Sequence, residues 1–390
     1  MRKVILIFVV LHFFATNNVF SKAGEPHESP IKTIKTKHGE VFDCVDIYKQ
    51  PSLSHPLLKN HTVQMRPSID AQKIIRESFA ILNSTCENIA PITLDEKCPT
   101  GTVPIRRYSS ANGSFVKPIF QFSDWNFSST GFAAGLPHGV DFAGIVVSNP
   151  GEKYQGVGGR TTVYQPTVDP HQYSGAYVHI QTLASGSIGS AEAGWMVNPD
   201  LYGDNLAHLF ISWNQQNNGK DAVCFDLRCP GFVVVNKNMP IGAAINPATT
   251  PGGAQIYAKL RITLDPSNGN LWVTYLSDSR SNAQDLGYWP KSLFQGLGSG
   301  GDLASWGGVV YSPVASSPSM GAGGVQFSDF PHSAHFAELV LNKDGTFQAP
   351  IKKEKPAVLN TRCYKVGEFG LSTEASMGYC FFYGGPKCNG

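Results

Sequence analysis

From residue 142 onward the chain alternates short apolar runs with clusters of Gly, Pro, Asn and Asp. FAGIVVS (142–148), GRTTVYQP (159–166), YVHIQTLA (177–184), HLFISW (208–213) and GFVVVN (231–236) are rich in β-branched and aromatic residues. AQIYAKLRITLD (254–265), NLWVTYLS (270–277), WGGVVYSP (306–313), AHFAELVLN (334–342) and GYCFFYGG (378–385) continue the pattern. Such runs, bounded by turn formers, predict β-strands. The two alternating runs joined by SNGN (267–270) predict a hairpin. KSLFQGL (291–297) is the one stretch that reads as helical. Many antiparallel strands at this spacing predict an all-β sandwich or barrel; uneven strand lengths without an internal repeat favour an antiparallel two-sheet sandwich.

The first third has a different texture. Residues 22–39 are polar, without periodicity, and read as a flexible segment. VFDCVDIY (41–48) is a short β-like piece. Pro51, Pro56 and Pro67 then exclude a continuous helix up to Ile69. Residues 98–107 form a second extended piece with a turn. Residues 108–135 mix Ser, Gly, Asn and Phe with no period, as a linker or processing region would; an ordered loop packed by its aromatics is the alternative. The expected organisation is a smaller, mostly extended domain over 22–135 followed by a β-sandwich over 136–390.

Charge removes several function classes. Lys+Arg 31 against Asp+Glu 29 leaves no basic excess for nucleic acid and no polybasic run for an anionic membrane. Met1-Arg2-Lys3, an apolar run from Val4 to Ala15, and Ser21 at a cleavage-like position read as a secretory signal peptide over 1–21, the run being too short to span a bilayer. Eight cysteines fit the oxidising compartment this implies. Cys224 and Cys229 are close enough for a short-loop disulfide, and Cys44 with Cys98 could staple the two N-terminal extended pieces. There is no CxxC, and no His at ligand spacing from a Cys, so neither metal nor cofactor is expected. Sequons at Asn60, Asn83, Asn112 and Asn126 predict a glycosylated surface early in the chain.

Candidate chemistry concentrates between residues 181 and 213. Glu192 is the only carboxylate between Asp169 and Asp200, and it sits among Ala191, Ala193, Gly194 and Trp195. A carboxylate desolvated against an indole suits general-acid work in mild acid; on an edge strand it would simply face solvent. No GxSxG elbow is present, and nothing links His138, His171, His179 or His335 to a nucleophile. GVGG (156–159) and TTPGGAQ (249–255) read as turns, since neither leads into a helix. Trp125, Trp195, Trp213, Trp272, Trp289 and Trp306 are either a stacking platform or core packing.

AEAGWMVNPDLYGDNLAHLFISW (191–213), LGYWPKSLF (286–294), WGGVVYSP and FFYGGP (381–386) resemble the plant neprosin family, and DCVDIYKQPSLSHPLLKNHTVQMRPS (43–68) resembles its activation peptide. The resemblance runs from about Val41 to the C-terminus. It implies a secreted glutamic endopeptidase, extracellular or vacuolar, that cuts after proline in acid and is held inactive by its own N-terminal propeptide. It implies a catalytic pair of glutamates: the first is Glu192, and the second should follow Gly307-Gly308, where this chain has Val309. Valine neither accepts nor donates a proton, and general acid–base help is worth about 10²–10⁴ in rate. Glu338 and Asp329 are the downstream carboxylates that could substitute. The resemblance also implies Cys224–Cys229 and Cys363–Cys388 bridges, leaving Cys86 and Cys380 to pair or stay free. Trp195 and Trp213 would suit the walls of a groove for proline-containing peptides. Alternatives are a groove that binds such peptides or cell-wall proteins without cleaving them, and a cell-wall glycoprotein with no groove.

Overall fold

The structure, a computed structural model, describes residues 30–80, 88–108, 139–182, 189–217, 220–276, 283–294, 296–325, 327, 329–351, 354–374 and 376–389. The leader expected over 1–21, nearly all of the linker expected over 108–135, the sequons at Asn83, Asn112 and Asn126, and Cys86 lie outside them. No described helix is long and apolar enough to cross a membrane.

Strands β1 (Lys32–Lys35), β2 (Val41–Asp46) and β3 (Thr102–Arg106) form a small antiparallel sheet. Cys44 and Cys98 are bridged, as the two extended pieces suggested. Between β2 and β3 the chain makes a helix, α1 (Ile69–Ala80), that the proline-punctuated reading did not reach. Ser68 caps it through Ala71 N–H, and Ala71, Ile75 and Ser78 bury one face.

The remaining strands run in order: β4 (Val140–Val147), β5 (Gly156–Thr162), β6 (Tyr173–Gln181), β7 (Gly189–Val197), β8 (His208–Asn217), β9 (Lys220–Phe225), β10 (Val233–Val234), β11 (Tyr257–Leu264), β12 (Leu271–Leu276), β13 (Ala283–Trp289), β14 (Leu303–Tyr311), β15 (His335–Lys343), β16 (Thr346–Gln348), β17 (Glu354–Val358), β18 (Lys365–Leu371) and β19 (Tyr379–Gly384). They build two antiparallel sheets, the sandwich expected from the pattern. One has seven strands in the order β17-β4-β14-β6-β7-β8-β9. The other has nine, along β10-β13-β12-β11-β5-β15-β19-β18 with β16 beside β15. The SNGN hairpin is β11–β12; its turn closes through Gly269 N–H to the Asp265 carbonyl, with Gly269 at φ +79. KSLFQGL gives two separate single turns, Lys291–Leu293 and Leu297–Ser299, because Gly296, Gly298 and Gly300 interrupt any longer helix.

Alternation along each strand decides what faces the core. Ala191, Ala193 and Trp195 of β7, Val178 and Ile180 of β6, and Ala304 and Trp306 of β14 join Leu260 and Ile262 of β11 in one apolar interior between the sheets. Trp306 ties the layers together by donating its indole N–H to the Gly158 carbonyl on β5. The opposite face of the seven-stranded sheet carries a second cluster that includes Phe142, Tyr173, Tyr177, Met196, Phe210 and Val309. Cys224–Cys229 and Cys363–Cys388 are both bridged, and Cys380 is a buried free thiol.

Candidate active site on the outer face of the seven-stranded sheet

Glu192 lies in the middle of β7, and β7 lies between β6 and β8, so it is an interior residue of an interior strand. Alanines on either side turn inward, so the period of two turns Glu192 outward, away from the sandwich core. It is nevertheless only 2% exposed. The edge-strand alternative is therefore excluded.

Register brings four polar side chains into one row across the sheet. Ser305 of β14 pairs with His179 of β6, His179 with Glu192 of β7, and Glu192 with Ser212 of β8. Both carboxylate oxygens have a partner. His179 Nδ1 is 2.8 Å from Glu192 Oε1, and Ser212 Oγ donates to Oε2 at 2.5 Å. His179 is fully buried, and its Nε2 lies 3.1 Å from Gln181 Oε1.

Around this row, four buried side chains on the same face have polar atoms without a hydrogen-bond partner. These are the hydroxyls of Ser305, Tyr173 and Tyr177 and both amide atoms of Asn214. Buried polar groups are rarely left unmade, because each forfeits about 1–3 kcal/mol of desolvation. Burial, then the Glu192 charge, holds the Tyr177 hydroxyl well above its ordinary range. Burial, Tyr311 and Glu192 do the same for Tyr173. Both phenols therefore stay protonated and able to donate toward whatever occupies this face.

Val309 is on the same face, four residues beyond Ser305 on β14 and beside Gly175 of β6. It is fully buried in the apolar cluster with Phe142, Tyr173, Tyr177 and Met196. The preceding glycines are sterically fixed: a Cβ on Gly307 would sit 2.5 Å from the Phe142 ring, and one on Gly308 2.6 Å from Tyr383 and Met320.

The substitutes considered from sequence lie elsewhere. Glu338 is on β15 of the other sheet, at φ +51 in a bulge, with Lys259 Nζ at 2.5 Å and Arg160 Nε at 3.4 Å. Asp329 is half-exposed and paired with His332. Trp195 and Trp213, expected as groove walls, both point into the inter-sheet core, which removes them from the Glu192 face. Rings on that face include Phe142, Tyr173, Tyr177, Phe210, Phe225 and Tyr311. The sequence reading missed His179 and Ser212 as neighbours of Glu192. Their signal was available: each stands on the strand flanking AEAGW, but only the register says which residue of each strand meets Glu192.

The region before residue 109 is fastened to the sandwich by buried polar contacts. Arg106 pairs with Glu40 at 2.6 Å, donates to the Tyr202 carbonyl at 3.1 Å, and also reaches the Gly242 carbonyl. Glu40 accepts from Ala244 N–H at 2.8 Å, and His208 lies 3.5 Å from it. Gln50 bonds both the N–H and the carbonyl of Val234. Tyr108 and Tyr202 both donate to Asp226, which burial pushes up to about 6. Among the described residues, no group of three or more His, Cys, Asp or Glu is placed to hold a metal ion.

Residues 170–386 match the family model described as Neprosin, and residues 33–123 match the one described as Neprosin activation peptide. Among solved structures the chain is similar to scytalido-glutamic peptidase with a transition state analog inhibitor, at 12% identity and TM-score 0.36, over 62% of this chain and 97% of that one. It is also similar to SCP-B, a member of the Eqolisin family of peptidases in a complex with the tripeptide Ala-Ile-His, at 10% identity and TM-score 0.32, over 63% of this chain and 98% of that one. The Neprosin match alone spans more than half of the chain, and together with the activation-peptide match ahead of it this makes the chain a member of the neprosin family.

Proposed function

We propose that this chain is a secreted peptidase that receives an extended peptide on the outer face of the seven-stranded sheet and hydrolyses it with Glu192 as the base. The observation that carries this reading is the row Ser305–His179–Glu192–Ser212, a buried carboxylate held at both oxygens among unpartnered donors. An extended peptide presents one N–H and one carbonyl per residue, so the hydroxyls of Ser305, Tyr173 and Tyr177 and the amide of Asn214 are suited to it. Cleavage after proline, in acid, is the activity that family membership suggests; the aromatic rings of Tyr173, Tyr177 and Phe210 suit a proline ring, whose fixed φ lowers the entropy lost on binding. The exposed Asn60 supports glycosylation and hence secretion.

A second reading keeps the peptide and drops the cleavage. Val309 favours it: where family resemblance puts a second catalytic carboxylate, this chain has an apolar side chain packed among Phe142, Tyr177 and Met196. One assay separates the two. The full chain, with and without removal of the activation region, is incubated at acid pH with a proline-containing peptide beside Glu192→Gln and Val309→Glu. The peptidase reading expects cleavage by the unmodified protein that Glu192→Gln lowers by at least about 10²-fold. Cleavage confined to Val309→Glu sinks it and leaves a peptide-binding protein.

A further inference from the structure

We propose that His179 is the positioning residue of this site, holding Glu192 in the orientation that a second carboxylate would otherwise help to set. The inference rests on the peptidase reading above. The ring of His179 is fully buried, occupies the strand position directly beside Glu192, and touches Oε1 through Nδ1 at 2.8 Å. On the other side Ser212 fixes Oε2 at 2.5 Å. With Ser212 donating to one oxygen and His179 Nδ1, protonated in the form this role requires, on the other, the carboxylate plane cannot rotate without breaking a bond, and buried partners of this kind are fixed by their own packing. Gln181, two residues along the same strand face, lies 3.1 Å from Nε2 and steadies the far side of the ring.

That arrangement lets a single carboxylate handle the protons of hydrolysis. A water oxygen bonds to the peptide carbonyl carbon while one water proton passes to Glu192. The C–N bond then breaks with its electron pair on nitrogen, which takes that proton from Glu192. Peptide and water give an acid and an amine, and Glu192 ends as it began. His179 and Ser212 keep the carboxylate aimed through both transfers. The Tyr177 hydroxyl, unpartnered on the same sheet face two residues from His179 on β6, is suited to donate to the oxygen of the attacked carbonyl.

The test compares His179→Phe, which fills the volume without a donor, with His179→Gln, which retains one. On the activated full-length protein, His179→Phe is expected to lower kcat by about 10²-fold with KM nearly unchanged, and His179→Gln to recover at least about a tenth of the native kcat. Melting curves check that both variants fold. Independently, nitrogen-labelled histidine in the unmodified protein is expected to show a ring proton at Nδ1 protected from exchange, lost in Glu192→Gln. The proposal is overturned if His179→Phe keeps kcat within about threefold, if His179→Gln is as slow as His179→Phe, or if no protected ring proton is found. In those cases cleavage that still depends on Glu192 leaves the peptidase reading standing. No cleavage by the unmodified protein removes both.

Discussion

At the scale of single residues, the decisive fact is which way a side chain points. Glu192 and Trp195 are three apart in one strand, so they face opposite sides, and the same period that turns Glu192 outward drives Trp195 into the core. Trp195→Phe should therefore behave as a packing change. It is expected to lower unfolding free energy by about 1–3 kcal/mol, by chemical denaturation, with KM for a proline-containing peptide unchanged. A severalfold rise in KM at unaltered stability would put Trp195 back at the peptide. His179 is the converse case. A lone histidine among Val178 and Ile180 looks like core, yet the odd-numbered positions of its strand face away from the core, and that is where it meets Glu192.

Among elements, β15 separates structure from chemistry. Its bulge between Ala337 and Val340 sets Glu338 in left-handed backbone, a conformation that glycine or asparagine usually takes. The strain of that backbone, of order 1–3 kcal/mol, persists because the side chain it aims is locked: Lys259 and Arg160 meet its carboxylate, and Met377 receives its N–H. Removing one charge from a buried pair costs about 3–5 kcal/mol. Glu338→Gln is thus expected to lose roughly that much stability while leaving kcat unchanged at a temperature where it stays folded, because it lies on the sheet that does not carry Glu192. A loss of kcat at full stability would show that the two sheets communicate.

For the molecule as a whole, the activation region is held by a buried charge cluster whose behaviour with pH has a definite sign. For Glu40, burial pushes upward but His208, Arg106 and Thr36 outweigh it, so it sits below its ordinary 4.5. Its contribution is complete above 4.5 and is lost as pH falls through the lowered value. For His208, burial pushes downward but Asp204 and Glu40 outweigh it, so it sits above its ordinary 6.5; its contribution is complete below 6.5 and is lost as pH rises through the raised value. The clasp is therefore at full strength between about pH 4.5 and 6.5. Denaturant unfolding across pH should find the gap between unmodified protein and Glu40→Gln constant above 4.5 and shrinking below it. The gap to His208→Phe should be constant below 6.5 and shrink above. Gaps that do not vary with pH would mean that these groups hold the region by shape alone.

Much of the architecture was legible in the chain itself. Alternation and turn residues are local, so the strands β4, β6 and β8, the SNGN hairpin and the two-sheet class follow from neighbours in sequence, whereas the helix at Ile69–Ala80, the strand β7 that carries Glu192, and the start of β5 at Gly156–Gly159, which reads as a turn, emerge only in the fold. The motif around Glu192 and the departure at Val309 were equally visible. Tertiary structure alone decided which residues share a row. His179 and Ser212 meet Glu192 across pairings 13 and 20 positions apart, and Ser305 joins the row through His179, 126 positions away. Strand register is fixed by burial of one whole face against the other sheet, a condition no local stretch contains. For the same reason Glu338, near in sequence to the Trp306-Gly307-Gly308 motif, ends on the opposite side of the sandwich. The residues named the carboxylate; packing of two sheets chose its partners.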